Sequence, residues 1–376
     1  MKNNILIDKW EDTQMANLKV KIDGMEFENP VMVAAGPPSR NAEMIIDCVK
    51  NGAGGVVSKT ISTEAAHIPK PCMADYKTRF LNTELWSELS PEHWIEKEYE
   101  KAKTCKAPLI VGMGYTPEQI TNLIPRVDKF ADAYEISSHY VGRDITPVVN
   151  TLKAAKACTK KPVFMKVSPG IADIGEFGRA LQEAGADGLV AINSVGPCFA
   201  IDIETGLPNM GSEAGYGWMS GAAIKPIALR HVYELCKSVK IPVLAVGGVT
   251  KGEDVIEMFM AGASAVQVCT QAIVEGNKAF RRIVKEANNW LDSHGYKSIE
   301  DIKGITIEKM KARKAPQYDT VYPEVIVDKC IGCGKCKESC VYQAITVDNK
   351  KAAVDSSKCF GCGLCTTRCP VGAIKL

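Results

Sequence analysis

The sequence lacks the long apolar runs that a membrane-spanning helix requires. No stretch approaches the roughly 18 to 20 consecutive apolar residues of such a helix. The first residues, MKNNIL, also lack a basic segment followed by an apolar run, so no secretory signal is indicated. We therefore expect a cytoplasmic protein with no membrane partner.

An excess of charge of one sign is also absent. The 376 residues include 46 Lys and Arg and 44 Asp and Glu, which gives a formal net charge of +2. No basic stripe alternates with aromatic residues, so nucleic-acid binding is not expected. A G-x-G-x-x-G fingerprint is missing too, which argues against an NAD(P)H site within the chain. An external electron donor is then required for any redox reaction.

Cysteine, in contrast, is abundant and concentrated near the end of the sequence. The chain has 15 Cys, which in the absence of an export signal favours metal or redox chemistry over disulfides. Eight of them form two C-x2-C-x2-C-x3-C runs, the second 29 residues after the first: Cys330, Cys333, Cys336 and Cys340, then Cys359, Cys362, Cys365 and Cys369.

This spacing is typical of iron–sulfur ligation. Three thiolates at x2 intervals wrap one corner of an iron–sulfur cube, while the fourth Cys of each run ligates the other cube. We therefore assign one cluster to Cys330, Cys333, Cys336 and Cys369, and the other to Cys359, Cys362, Cys365 and Cys340. The pattern resembles the bacterial ferredoxin domain with two [4Fe-4S] clusters, over residues 324–376. A zinc or disulfide module is the alternative, and the doubled spacing argues against it.

Eight short apolar runs separated by helical stretches precede the cysteine runs. They are Val31–Ala35, Gly55–Ser58, Leu109–Met113, Ala133–Ser137, Val163–Val167, Gly188–Ile192, Val243–Gly247 and Ala265–Val268. Continuous apolar runs of this length suit strands that are buried on both faces of a parallel sheet. Eight βα units predict an α/β protein with a (β/α)8 TIM barrel. An open doubly wound sheet is the alternative, and the missing glycine fingerprint counts against it.

The same patterns predict the domain organisation. We expect an N-terminal extension over 1–17, the barrel over 18–292, a linker over 293–323, and a small C-terminal α+β ferredoxin-like domain over 324–376. The active site of such a barrel lies at the C-terminal ends of its strands.

Small and basic residues stand at these strand ends. Gly247-Gly248 and Cys269-Thr270 follow the last two strands, where barrel enzymes commonly bind phosphate. Lys59 ends the second strand and Lys166 lies in the fifth. Taken singly, each Lys is most commonly a solvated surface residue. Taken together beside a phosphate site they suit a flavin, because a cation near the ring stabilises its anionic reduced form.

The chain resembles the dihydroorotate dehydrogenase superfamily over about residues 18–376. Within it, the resemblance is greatest to the pyrimidine-reducing part of dihydropyrimidine dehydrogenase and its bacterial iron–sulfur subunit. It is carried by segments such as Asn29-Pro30-Val31, Ser58-Lys59-Thr60, Phe80–Leu85, Ile224–Arg230 and Gln267-Val268-Cys269. The resemblance implies FMN and two [4Fe-4S] clusters as cofactors, and a homo-oligomer. The resemblance suggests a separate FAD- and NAD(P)H-binding subunit as electron donor, and a soluble ferredoxin is the alternative.

The resemblance also assigns residues of this sequence to the flavin and the substrate. The implied flavin contacts are Ala35, Gly36, Lys59, Thr60, Lys166, Asn193, Ser220, Gly221, Gly247, Gly248, Cys269 and Thr270. The implied substrate contacts are Asn82, Ser137, Asn193 and Ser194.

One departure from the family concerns the proton donor. After the fourth strand the family has Asn-x-Ser-Cys-Pro, in which the Cys donates the proton, whereas this chain has Ser137-Ser138-His139-Tyr140-Val141. Tyr140, a phenol with an ordinary pKa near ~10, is one replacement, and His139 is the other. In a third interpretation neither is catalytic. With Lys166, these two residues complete the predicted catalytic set.

The predicted function is that of an oxidoreductase acting on CH-CH groups. We expect it to reduce or form an activated C=C bond of a small molecule, by hydride transfer from flavin N5, with electrons supplied through the clusters. Two alternatives remain open at this point. One is dihydropyrimidine dehydrogenase acting on uracil or thymine, and the other is an electron-transfer subunit that transforms no substrate.

Overall fold

The computed structural model describes residues 16–138, 142, 144–313, 316 and 318–376. They divide into two compact units, with the boundary between Ala312 and Arg313. This boundary falls inside the segment predicted as a linker, 293–323. Ile299 and Ile302 of that segment are fully buried in the core of the first unit, so its first part packs on the barrel.

The strands of the described residues are mostly short. In chain order they are β1 (Val20–Ile22), β2 (Met25–Phe27), β3 (Val31–Val33), β4 (Gly55–Val57), β5 (Met73–Asp75), β6 (Phe80–Asn82), β7 (Leu109–Met113), β8 (Ala133–Ser137), β9 (Val163–Val167), β10 (Gly188–Ala191), β11 (Val195–Cys198), β12 (Gly217–Ser220), β13 (Val243–Val246), β14 (Ala265–Val268), β15 (Glu324–Val325), β16 (Ile345–Asp348), β17 (Lys351–Val354) and β18 (Ile374–Lys375).

The helices alternate with the longer strands. They are α1 (Ala42–Lys50), α2 (Pro91–His93), α3 (Tyr99–Lys103), α4 (Pro117–Val127), α5 (Thr146–Cys158), α6 (Ile174–Glu183), α7 (Lys225–Ser238), α8 (Gly252–Met260), α9 (Thr270–Glu275), α10 (Lys278–Ser293), α11 (Ile305–Ala312), α12 (Lys335–Glu338) and α13 (Leu364–Arg368). Short 3-10 helices lie at Pro37–Ser39, Ala222–Ile224, Ile299–Ile302 and Val327–Lys329, and a π-helix at Trp94–Glu98 joins α2 to α3.

The first unit is a closed parallel barrel, which confirms the predicted (β/α)8 fold. The barrel strands are β3, β4, β7, β8, β9, β10, β13 and β14, and each pairs with the next around the ring. Every residue of these eight strands is buried. Because helices cover the outside and side chains fill the inside, the strands appear in the sequence as continuous apolar runs.

The helices around the barrel begin and end at residues suited to those positions. Thr116 caps α4 through its hydroxyl, which accepts a hydrogen bond from the backbone N–H of Gln119. Asp173 caps α6 by accepting from Glu176 N. Gly185, with a φ of +99°, follows α6 and turns the chain into β10. These local signals set the short connections that bring each strand back into the barrel.

A second, antiparallel sheet lies in the connections that follow barrel strands β4 and β10. Its order is β11-β12-β6-β5, and Asn82 of β6 pairs with Trp218 of β12. The sequence analysis did not predict this sheet. Its strands have three or four residues, and partly exposed positions interrupt their apolar pattern, so no strand signal stands out.

The second unit contains two short helices and two strand pairs, β15 with β18 and β16 with β17. Its buried cluster consists of Cys336, Ile345, Ala352, Cys365 and Ile374. Gly334 and Gly363 precede α12 and α13 with nearly the same positive φ, 77° and 76°. These two glycines are 29 residues apart, so the sequence repeat is also a structural repeat.

Within the described residues, no helix combines the length and the apolar character needed to cross a membrane.

Candidate active site

A cavity of about 630 Å³ opens at the C-terminal ends of the barrel strands. Its lining includes every predicted flavin and substrate residue: Ala35, Gly36, Lys59, Thr60, Asn82, Ser137, Lys166, Asn193, Ser194, Ser220, Gly221, Gly247, Gly248, Cys269 and Thr270. The fold thus brings together residues that lie more than two hundred positions apart in the sequence. The cavity has the size of a site for a cofactor or drug-sized ligand.

Lys59 reaches the cavity from the end of β4 and is almost completely buried. Its Nζ forms a short ion pair with Glu84 and lies 3.5 Å from Glu88 Oε2. Burial raises the pKa of Glu88, but a backbone hydrogen bond and the charges of Lys59 and Arg40 outweigh it, so the pKa is lowered overall. The sequence analysis gave neither carboxylate a role.

Lys166 enters the cavity from β9 and is bonded to the carboxylate of Glu135, which is itself buried. Its Nζ lies 3.0 Å from Glu135 Oε1, and Gln267 Nε2 donates to Glu135 Oε2 at 2.7 Å. Gln267 Oε1 is buried and has no hydrogen-bond partner among the described residues. Sequence analysis missed Glu135, although a carboxylate within an otherwise apolar strand is a signal of such a pair.

Glycines and hydroxyls converge where the last barrel strands end. Gly247 and Gly248 have φ values of 128° and 76°, and Gly221 has 77°. A Cβ on Gly248 would lie 2.5 Å from Lys225 N, so the backbones approach too closely for a side chain. Ser220 Oγ and Thr270 Oγ1 are 2.8 Å apart. This combination of glycine turns and hydroxyls is suited to a phosphate group.

The cavity wall is also tightly packed beside the first strand. A Cβ on Gly36 would lie 2.6 Å from Cys269 Sγ. Burial raises the pKa of the Cys269 thiol to about 11, although the charges of Lys166 and Lys59 lower it. The thiol is therefore protonated at neutral pH and packs as a small apolar group.

The polar residues assigned to the substrate already bond to the protein. Asn82 Nδ2 donates to Trp218 O at 3.1 Å, and its Oδ1 accepts from Glu84 N. Asn193 Nδ2 donates to Ser137 Oγ at 3.3 Å, and its Oδ1 accepts from Ser194 N at 2.8 Å. Each amide therefore retains only part of its capacity for bonding a ligand.

Aromatic residues that the sequence analysis did not assign line the same cavity. Trp86 and Tyr115 form an edge-on pair with ring centroids 5.8 Å apart, and Trp218 contributes a third ring. Trp86 Nε1 donates to Glu64 O at 2.8 Å, which fixes the indole. Burial raises the pKa of Tyr115 above its ordinary value. Isolated aromatic residues in connections give no sequence signal that distinguishes a cavity wall from surface packing.

His139 and Tyr140, the two predicted proton donors, lie outside the described residues. Ser137 and Ser138, which precede them, line the cavity. The assignment of either residue as the donor therefore stays a prediction.

In the second unit, four cysteines from both runs line one small cavity. They are Cys330, Cys333 and Cys336 of the first run and Cys369 of the second. This is the set predicted for one of the two clusters. Backbone N–H groups also point at the last thiol of each run, from Ala344 to Cys340 Sγ at 3.3 Å and from Ala373 to Cys369 Sγ at 3.2 Å. Hydrogen bonds of this kind to the ligand sulfurs help to set the reduction potential of an iron–sulfur cluster.

No three His, Cys, Asp or Glu side chains in the described part of the chain form a group suited to a single metal ion. The thiolates that ligate a four-iron cube need not converge on one point, because they are spread around the whole cube. The first cavity meanwhile fits FMN on three observations: two buried cations, an unpartnered amide oxygen on Gln267, and a glycine cradle beside two hydroxyls.

Comparison with known proteins agrees with both units. The sequence profile described as "Dihydroorotate dehydrogenase" matches residues 17–291, and the one described as "4Fe-4S dicluster domain" matches residues 324–376. Among curated proteins, the dihydroorotate dehydrogenase B (NAD(+)) catalytic subunit of Pyrococcus abyssi is 35% identical over 302 residues, which cover 77% of this chain and 99% of that protein.

Two further relatives carry the same name. The protein of Thermococcus kodakarensis is 35% identical over 306 residues, covering 78% of this chain and 99% of the relative. The protein of Thermoplasma acidophilum is 33% identical over 305 residues, covering 78% and 100%. These comparisons support the predicted superfamily, but they do not single out dihydropyrimidine dehydrogenase, to which the sequence analysis gave the greatest resemblance.

Proposed function

Because the chain belongs to the dihydroorotate dehydrogenase family, and is thus an oxidoreductase acting on CH-CH groups, we propose that it is an FMN- and iron–sulfur-dependent reductase of an activated C=C bond. In the reaction the π bond breaks and two C–H bonds form. One carbon receives a hydride and the other a proton. The two electrons come from an external reductant, one at a time.

The observation that carries this proposal is the pair of buried lysines, Lys59 and Lys166, that faces one cavity together with the glycine turn at Gly247-Gly248. Buried lysines are rare unless they are paired, and here each pairs with a carboxylate at the cavity, Glu84 or Glu135. Electron transfer alone would not require two cations and several polar side chains around a cavity of this size. We therefore place catalysis, not electron relay alone, in this chain.

When bound, FMN would collect single electrons and deliver a hydride from N5 to the substrate. The chain's residues have separate roles around it. Gly247, Gly248, Ser220 and Thr270 would hold the phosphate. Lys59 and Lys166 would stabilise negative charge on the ring, in keeping with the cations required there.

Other residues act on the substrate. Asn193 and Ser194, just after β10, would orient the carbonyl that activates the double bond. The proton would come from Tyr140 or His139, because both follow β8 directly after Ser137 and Ser138, which line the cavity. The cavity walls would exclude bulk water from the reacting carbons.

The eight cysteines of the second unit would hold two [4Fe-4S] clusters, which pass electrons singly. The external reductant would be a reduced ferredoxin or a separate subunit that binds FAD and NAD(P)H. The relatives' name, "catalytic subunit", supports a separate partner. We further propose a cytoplasmic location and a homo-oligomer.

A second candidate is the oxidation of dihydroorotate, the reaction for which the relatives are named. It would use the same cavity in the opposite direction, with electrons leaving through the clusters. The comparisons do not favour the two earlier alternatives, uracil or thymine reduction and a subunit without catalysis.

Anaerobic reoxidation tests the proposal. The holoenzyme is reduced with dithionite, the excess is removed, and flavin and cluster absorbance are followed after adding enones, enoates, orotate, uracil or thymine. Rapid reoxidation by at least one alkene supports a reductase. Loss of this reaction in Lys59→Met but not in Lys19→Met, a surface lysine paired with Glu28, locates it in the cavity. If no alkene reoxidises the reduced enzyme, the proposal is wrong.

A further inference from the structure

The charges that line the cavity cancel in pairs. Among its described lining residues the cations are Lys59 and Lys166, and each bonds to a carboxylate, Glu84 and Glu135 respectively. Glu88 lies beside Lys59 as well. An anionic substrate would have to compete for an ammonium group with these carboxylates, of which Glu135 is buried and Glu84 and Glu88 are partly exposed. Burying a carboxylate without its own cation is unfavourable.

The side chains that would form hydrogen bonds to a pyrimidine ring already form some hydrogen bonds within the protein. Asn82 and Asn193 each donate one amide N–H to the protein and accept one backbone N–H. Ser137, the first residue of the stretch that aligns with the family's Asn-x-Ser-Cys-Pro, is bonded to Asn193. These three side chains therefore offer few free hydrogen-bonding groups to a heterocycle with several N–H and C=O groups.

The walls are mainly apolar and aromatic. Trp86 and Tyr115 form an edge-on pair. Gly114, which precedes Tyr115, packs closely against the end of β8, since a Cβ on it would lie 3.0 Å from Ser137 O. Trp218 and Met73 lie on the antiparallel sheet and also line the cavity. The loop between β11 and β12 continues this apolar character outward, with Phe199, Ile201, Ile203, Leu207 and Tyr216 exposed.

From these three observations we propose that the substrate is an uncharged α,β-unsaturated carbonyl compound with an apolar ring, which packs against Trp86 and Tyr115. This inference rests on the proposed function and narrows its substrate class. The aromatic pair supplies the binding energy, while the paired lysines exclude carboxylates. The electron and proton balance of the reaction is unchanged.

Calorimetric titration of the oxidised holoenzyme tests the inference without turnover. The probes are benzylideneacetone as the neutral enone, orotate as the anion and uracil as the polar neutral ring. We expect the enone to bind at least about tenfold more tightly than either pyrimidine. Tighter binding of orotate or uracil would overturn the substrate class.

Variants test the aromatic contact and the pairing of Lys59 separately. Trp86→Ala should weaken enone binding by about tenfold or more, while Tyr318→Ala, which truncates an exposed ring of the second unit, leaves it unchanged. The double variant Glu84→Gln, Glu88→Gln removes both carboxylates beside Lys59 and should strengthen orotate binding by about tenfold. Unchanged enone affinity in Trp86→Ala, or unchanged orotate affinity in the carboxylate variant, would contradict the inference. The orotate measurement keeps the test valid if Trp86→Ala does not fold fully.

The reoxidation experiment distinguishes this inference from the proposed function. If uracil or orotate reoxidises the reduced enzyme fastest and binds most tightly, the reductase assignment stands and the neutral substrate class is wrong. If none of the alkenes reoxidises it, the reductase assignment itself fails.

Discussion

At the scale of single residues, the barrel interior contains a buried ion pair, which is unusual among apolar side chains. Lys166 and Glu135 are 8% and 2% exposed, and Gln267 completes the carboxylate's hydrogen bonding. A buried pair of this kind contributes little net stability, because both ions have lost their hydration. Its presence in the cavity floor is better explained by the need to hold a cation at a defined place.

We expect Lys166→Met to destabilise the fold by about 3–5 kcal/mol, because Glu135 would remain buried without its cation. The double variant Lys166→Met, Glu135→Leu should recover most of that loss, since it removes both charges. Urea unfolding of the apo-flavin protein measures both values. A double variant as unstable as the single one would show that the pair stabilises the barrel in itself.

Some cavity residues could be predicted from the sequence, and others could not. Lys59, Lys166 and the glycines after β13 were predictable because they stand next to buried strands whose C-terminal ends meet. Glu84 and Trp86 were not assigned, because they belong to a connection whose path no periodicity defines. The partner of a buried lysine likewise depends on tertiary structure, which the sequence does not display.

At the scale of elements, the turn after β13 depends on glycine. Gly248→Ala would place a Cβ 2.5 Å from Lys225 N in a backbone with φ of +76°. We expect FMN content to fall at least about tenfold, because the backbone must move away from the phosphate position; that corresponds to about 1.4 kcal/mol.

Gly185→Ala is the matched control for this change. Gly185 also has a positive φ, +99°, but no atom lies within 4 Å of its added Cβ. It should cost about 1 kcal/mol of stability and leave the FMN content unchanged. Equal loss of FMN in both variants, measured by absorbance after purification, would mean that backbone strain alone is responsible.

The junction of α9 and α10 is tied by an ion pair whose contribution depends on pH. Hydrogen bonds from Arg282 lower the pKa of Glu275 from 4.5 to about 2. A lowered folded-state pKa stabilises the protein above the unfolded value and ceases to do so as pH falls through the folded one. The stability difference between wild type and Glu275→Gln should therefore shrink between pH 4.5 and 2.

Because this ion pair is partly exposed, we expect that difference to be less than about 1 kcal/mol at neutral pH. Urea unfolding at a series of pH values checks it. A difference that stays constant as pH falls below 4.5 would contradict the assignment of the lowered pKa to Glu275.

The eight barrel strands were predicted to within one or two residues at their ends, since both faces are buried and the runs are uninterrupted. The sheet formed by β5, β6, β11 and β12 was not predicted. Its strands are short, and the pairing of β6 with β12 joins segments more than a hundred residues apart, such as Asn82 and Trp218. Long-range pairing of this kind leaves no local pattern.

At the scale of the whole molecule, the chain has a region that the alignments with the named relatives do not cover. Alignments cover nearly all of the curated subunits but only about three quarters of this chain. The 4Fe-4S dicluster domain at 324–376 thus accompanies a catalytic barrel within one polypeptide.

The second unit should depend on its clusters for folding. Its buried cluster has five residues, two of them Cys336 and Cys365, which is a small core for independent stability. Removal of iron should therefore unfold residues 318–376 and leave the barrel folded. Hydrogen exchange with and without iron measures this, and undiminished protection of β16 and β17 in the iron-free protein would contradict it.

The 29-residue repeat of the second unit makes its two halves interdependent. With the proposed ligands, each half gives three thiolates to one cluster and one to the other, so a single half closes neither cube. Two identical copies of one half, related by a two-fold axis, would supply both sets, because Gly334 and Gly363 and the N–H···S bonds of Ala344 and Ala373 repeat at the same interval. A chain with a single half would therefore bind its clusters only as a dimer.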